Sequence, residues 1–196
     1  MWLLQLYLNM ARGMELSHRC LLADMCNARG LKTAVEVGTH QAVFAHEFMS
    51  RFNGAITLVD PWELAADDNP IFYPNFVPST ENREADYAIA VQAMLPFSSR
   101  VTWMLMTSSE AAQTFDDDAV GFVYIDALHD YDSVVEDIRI WYPKVISGNG
   151  IFAGHDYDEA HPDVVRAVDA FIGSIGHKLY CTADEPSSWW IVKCEL

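Results

Sequence analysis

Five short segments of this 196-residue chain concentrate its chemistry-bearing side chains, and each follows an apolar run. They are Glu36-Val37-Gly38-Thr39-His40-Gln41-Ala42, Asp60-Pro61-Trp62, Ser108-Ser109-Glu110, Asp126-Ala127-Leu128-His129-Asp130-Tyr131 and His155-Asp156-Tyr157. Carboxylates in such places accept hydrogen bonds from hydroxyls and attract cations. Asp60 can accept from both hydroxyls of a ribose. Gly38 permits a tight turn and a close ligand approach. A histidine, whose pKa lies near neutrality, is a suitable base for taking a proton from a hydroxyl; His129 and His155 are the candidates. The dinucleotide fingerprint G-x-G-x-x-G is absent, with only Gly38 in place, and so is a Walker A loop. The ligand expected here is therefore a nucleoside without phosphates but with a charged tail. S-adenosylmethionine has ribose hydroxyls, an adenine and a sulfonium cation that an acidic site favours.

The elements that must hold these segments read as alternating strands and helices. Residues 32–37, 55–59, 101–105 and 120–125 are apolar runs of the kind that form parallel strands buried on both faces. Residues 44–52 fit a helix between the first two. Val134, Val135, Ile138, Trp141 and Tyr142 form one helical stripe, and Val164, Val165, Val168, Phe171, Ile172 and Ile175 form another. Thr107-x-x-Glu110 reads as a capping box and Pro162 as a first-turn proline. Residues 177–181 and 189–193, joined through a turn at 185–188, read as an antiparallel pair at one edge. The expectation is a single α/β domain: a Rossmann-like seven-stranded, mostly parallel sheet with an antiparallel C-terminal edge hairpin and helices on both faces. Ligands in such sheets bind at the carboxyl ends of the strands, near the switch in strand order. Residues 1–31 are expected to cover the sheet, with a first helix over 14–29. Residues 61–80, rich in proline and aromatics, are expected to form a lid.

Composition narrows the partners. The formal net charge is −16, and no Lys/Arg cluster is present. Nucleic acids and anionic membrane surfaces want a basic stripe, so neither is an expected partner. No apolar run reaches the length of a membrane span, and the apolar start lacks a basic region and a cleavage site. Cys20, Cys26, Cys181 and Cys194 contain no Cys-x-x-Cys pair, and free buried thiols are expected. These features suggest a cytoplasmic chain with a small-molecule substrate. Trp2, Leu3, Leu4, Leu6, Tyr7 and Leu8 could pack against a second copy.

Several stretches, in order, resemble a known family: Val35-Glu36-Val37-Gly38-Thr39, Val59-Asp60-Pro61-Trp62, Tyr124-Ile125-Asp126-Ala127-Leu128-His129 and Ala153-Gly154-His155-Asp156-Tyr157. Over residues 32–193 the chain resembles the class I S-adenosylmethionine-dependent methyltransferases, in particular a bacterial subgroup related to macrocin-type sugar and antibiotic O-methyltransferases. The resemblance implies that Glu36, Gly38 and Thr39, with His40, line the methionine part of the cofactor. It implies that Asp60, followed by Pro61 and Trp62, holds the ribose, that Ser108 or Ser109 borders the adenine, and that Asp126 contacts the cofactor. Ala42 and Ala127 stand where the family usually has glycine. Macrocin-type relatives hold a divalent metal through acids after the fourth and fifth strands, which here implies Asp126 and Asp156, with His155 where some relatives have another acid. Magnesium prefers oxygen ligands, whereas an imidazole suits manganese, iron or zinc.

The reading that follows is methyl transfer to a hydroxyl of a small molecule such as a sugar. Asp126, His129 and His155 are its catalytic candidates. Either a metal lowers the hydroxyl's pKa or a histidine takes its proton. One rival is a metal-dependent hydrolase built on Asp126, His129, His155, Asp156 and His161; another is a non-catalytic cofactor-binding module. His161 reads as an exposed turn residue, and Asp116-Asp117-Asp118 as a solvated loop.

Overall fold

The computed structural model describes residues 16–62 and 80–194, with the backbone alone for 80–83. Residues 1–15 and most of the expected lid (63–79) lie outside the described residues. The elements run α1 (Leu21–Ala28), β1 (Thr33–Val37), α2 (Val43–Met49), β2 (Ala55–Val59), α3 (Thr80–Met94), β3 (Val101–Met104), α4 (Ser108–Ala112), β4 (Phe122–Ile125), α5 (Tyr131–Trp141), β5 (Ile151–Gly154), α6 (Pro162–Ile175), β6 (Tyr180–Cys181) and β7 (Trp189–Val192). The strands form one seven-stranded sheet in the order β3-β2-β1-β4-β5-β7-β6. The first five strands are parallel; β7 is antiparallel to both β5 and β6.

Alternation along each strand divides the core in two. Ala34, Ile56, Leu58, Phe122, Tyr124 and Ala153 face α1, α2 and α3. Val35, Val37, Val59, Val123, Ile125 and Phe152 face α4, α5 and α6. The two expected helical stripes supply Val134, Ile138 and Trp141 from α5 and Val164 and Val168 from α6 to this second core. Thr107 caps α4 in a full capping box with Glu110, and Pro162 opens α6.

Boundaries differ in small ways. Val120 bridges Val145 outside the sheet strands, so β4 starts at Phe122. Among the described residues the first helix is short, because Leu16 instead bridges Thr182 and the chain turns through 17–20. Asp118 is more than a solvated charge. Its Oδ1 accepts from the Ser147 amide and hydroxyl and from Lys193 Nζ.

Strand order reverses between β1 and β4, since β1 leads to β2 on one side and β4 to β5 on the other. The ladder continues past the strand ends. The amides of Gly38, Asp60, Asp126 and His155 donate to Val59, Met104, Val37 and Ile125, respectively. This lines up four of the five polar segments along one edge.

Candidate active site

Glu36 lies on β1 in register with Leu58 and Tyr124. Its side chain is 1% exposed, and its Oε2 and the neighbouring Thr39 Oγ1 have no hydrogen-bond partner among the described residues. Burial, then the nearby Asp126 charge, push the Glu36 carboxyl well above its usual pKa. Gly38 leaves the strand at φ +87°, and a β-carbon there would stand 2.1 Å from the Asp126 carbonyl oxygen. The turn then runs through His40 at φ +50° and Ala42 at φ +59°.

This turn is clasped from the β2 side. The His40 amide donates to Asp60 Oδ2 (2.8 Å), and Trp62 Nε1 donates to the His40 carbonyl (2.8 Å). His40 Nε2 lies 3.1 Å from Asp86 on α3, whose other oxygen accepts from Gln41 Nε2 (2.7 Å). Trp62 is buried against Tyr87 and Trp103. Ser108 points elsewhere: its hydroxyl donates to Asp137 and accepts from Trp141 Nε1. It therefore ties α4 to α5, while Ser109 Oγ meets Thr107 Oγ1.

The ends of β4 and β5 bring Asp126, His129, His155 and Asp156 together. His129 Nε2 is 2.8 Å from Asp156 Oδ2 and 3.9 Å from Asp126 Oδ1. His155 Nδ1 is 3.1 Å from Asp156 Oδ1 and 3.5 Å from Asp126 Oδ1. Asp156 serves both imidazoles from a left-handed backbone at φ +58°. His161, read from sequence as an exposed turn residue, is part-buried beside this cluster, with Nδ1 3.7 Å from Asp156 and 3.0 Å from Asp158. A cavity of about 10 Å³, room for one water, is lined by Asp126, His129, His155 and Asp156 among others.

The charges interlock. Asp126 and Asp156 raise the His129 pKa to about 10, against the effect of burial; Asp156, at 2.8 Å, is the direct partner. Burial raises the pKa of Asp126 and Asp156, but hydrogen bonds from the two histidines outweigh it and hold both carboxyls low. Burial lowers the His155 pKa, but Asp126 and Asp156 outweigh it and raise it to about 9. Against that rise stands Arg19, whose Nη1 lies 2.9 Å from His155 Nε2. A guanidinium only donates, so Nε2 must keep its lone pair. A neutral imidazole with its proton on Nδ1 satisfies every contact of His155.

A family model described as a methyltransferase domain matches residues 35–157, which runs from the middle of β1 past Asp156. The chain belongs to the methyltransferase-domain family. No curated protein matches it. Solved structures share its fold at low identity. The O-methyltransferase NovP is 14% identical with a TM-score of 0.61, over 90% of this chain and 78% of NovP. An O-methyltransferase from Bacillus cereus, solved in complex with SAH, is 13% identical with a TM-score of 0.62, over 96% of this chain and 88% of that one. An SAH-bound methyltransferase from Podospora anserina is 10% identical with a TM-score of 0.60, over 87% and 75%.

The metal trio expected from sequence agrees in spacing but not in chemistry. The ligand atoms of Asp126, His155 and Asp156 lie within 4.8 Å of one another. The nitrogen His155 would offer is Nδ1, which carries the proton that the Arg19 contact forces there. A metal-bound imidazole donates from its other nitrogen, and here that nitrogen faces a donor. Sequence reasoning missed Arg19 altogether: it lies 136 positions from His155, in no motif. The two alanines that stand where the family usually has glycine differ in backbone demand. Ala127 does not take a positive φ, so its turn does not require glycine. Ala42 does take one, which is the physical reason glycine suits that position.

Proposed function

We propose that this methyltransferase transfers a methyl group from S-adenosylmethionine to a hydroxyl of a small molecule such as a sugar. The observation that carries the reading is the buried Glu36 carboxyl, whose Oε2 lacks a partner among the described residues at the switch point of the sheet. A buried oxygen of this kind costs stability unless a ligand satisfies it. Glu36 and Thr39 would hold the methionine amino group, and Asp60 the ribose hydroxyls. Gly38 gives the backbone the close approach such a ligand needs. When bound, S-adenosylmethionine would supply a methyl group activated by its sulfonium, with the thioether S-adenosylhomocysteine as the leaving group. The solved relatives that carry SAH support this choice of cofactor.

The chain's own residues then position the acceptor and take its proton. The His129 side chain is 47% exposed, whereas that of His155 is 13% exposed, so His129 is the imidazole an acceptor can reach. Asp156 fixes the proton of His129 on Nε2. Nδ1 is left to receive the hydroxyl's proton, in the manner of a histidine oriented by a carboxylate. The His161 ring stands edge-on to that of His129 at 5.2 Å.

Methyl transfer to a panel of sugars and phenols, in wild type and His129→Ala, tests this. Turnover of an accepted substrate should fall at least tenfold in the variant, with SAH binding retained. Wild-type turnover should rise with pH from 7 toward about 10, because His129 must first give up the proton its carboxylates hold. Unchanged turnover in His129→Ala, or a wild-type profile that falls over this range, removes His129 from the role.

A further inference from the structure

We propose that the guanidinium of Arg19 supplies, at the ends of β4 and β5, the fixed positive charge that a divalent metal would otherwise supply. The Asp126–His155–Asp156 cluster then works without a metal. The contacts form a continuous chain. Arg19 Nη1 donates to His155 Nε2 (2.9 Å), His155 Nδ1 lies 3.1 Å from Asp156 Oδ1, and Asp156 Oδ2 lies 2.8 Å from His129 Nε2. Because a guanidinium only donates, His155 Nε2 is the acceptor in the first contact, which leaves its Nδ1 proton facing Asp156. An arginine stays protonated at all working pH values, so its end of the chain sets the direction for the rest. Arg19 thereby positions His155, which positions Asp156, which orients His129.

Arg19 is also held in place. Its own amide donates to Asp184 Oδ2 (3.1 Å), its Nε lies 3.7 Å from Glu47, and its guanidinium sits over the Phe44 ring at 5.7 Å. Its side chain is 17% exposed. A metal entering between Asp126, His155 and Asp156 would have to strip the Nδ1 proton and break the arginine contact together. His129, Asp156 and His161 also bring their ligand atoms within 4.8 Å. There His161 Nδ1 is already turned to Asp158, which lies outside that trio, at 3.0 Å.

The proposal deepens the reading of His129 as the base, but its test does not depend on methyl transfer. The full chain, dialysed against a chelator, is titrated calorimetrically with Mn²⁺ and with Zn²⁺ as wild type, Arg19→Met and Arg19→Lys. The expectation is no binding tighter than millimolar in wild type and Arg19→Lys, and at least tenfold tighter binding in Arg19→Met. Nitrogen NMR of the imidazoles gives a second readout on wild type alone, with His155 unprotonated at Nε2. Micromolar binding by wild type would overturn the proposal, as would an Arg19→Met variant as indifferent to metal as wild type. A protonated Nε2 on His155 would do the same. Should methyl transfer fail on every acceptor while these metal and NMR results hold, the functional reading falls and the assignment of Arg19 stands.

Discussion

Gly38 is the residue on which the site turns. Its φ of +87° strains any side chain, and a β-carbon would overlap the Asp126 carbonyl oxygen at 2.1 Å and Ala127 Cα at 2.5 Å. Both obstacles are backbone and cannot swing away. Gly38→Ala should therefore cost on the order of 3 kcal/mol, read as a lowered urea midpoint, and should separate β1 from β4 where Glu36 and Asp126 meet. A midpoint equal to wild type would show that the two strand ends are looser than described. At this scale the sequence was informative where a residue's type alone limits its use. Glu36, Gly38, Asp60, Asp126, His129, His155 and Asp156 were picked out because polar groups follow five apolar runs in turn, a combination rarer than any one of them. Arg19 could not be, since nothing local distinguishes it from a surface arginine. The direction of Ser108, toward Asp137 and Trp141, was equally hidden, because its partners lie 29 and 33 positions away.

Among the elements, the α4–α5 junction carries a buried charge that the fold tolerates at a cost. Asp137 on α5 is 6% exposed, and its burial, opposed by the Ser108 hydroxyl, raises its pKa from 3.8 to about 6. A carboxyl raised on folding favours the folded state only while protonated. That contribution is complete below pH 3.8 and is lost as pH climbs through 6. Asp137→Asn keeps an acceptor for Ser108 without the charge. It should raise the melting temperature by several degrees at pH 8, corresponding to at most roughly 3 kcal/mol, and change little at pH 4. An equal effect at both values would mean that the carboxyl is not the source. The turn from β1 into α2 poses the opposite problem. Ala42 occupies a left-handed position and is fully buried, so Ala42→Gly would relieve backbone strain while removing a packed methyl. A change within about 1 kcal/mol is expected from denaturant unfolding, and a larger loss would show that the methyl matters more than the backbone. The helical stripes of α5 and α6 were plain in the sequence because their period is 3.6. The short first helix was not, since the bridge from Leu16 to Thr182 is a contact between distant parts of the chain.

At the scale of the molecule, the two faces of the sheet are filled by separate cores, and the strand ends between them carry Glu36, Asp60, Asp126 and Asp156. Alternation of apolar runs and helical stripes specified the layers and the antiparallel edge, because both periods are local properties. The reversal of strand order between β1 and β4 is a property of the whole sheet, and the sequence carried it only through likeness to a family. Among the described residues, no helix is long and apolar enough to cross a membrane. The central claim, that Glu36 and Asp60 flank Gly38 to receive an adenosyl cofactor, is tested most directly by melting the full chain with increasing S-adenosylhomocysteine, in wild type and in a Glu36→Gln, Asp60→Ala double variant. Wild type should gain about 2.7 kcal/mol of stability at 100 times the dissociation constant, and the double variant should gain almost nothing. A wild-type melting temperature that does not move at millimolar ligand, or a double variant that shifts as far as wild type, would contradict the account.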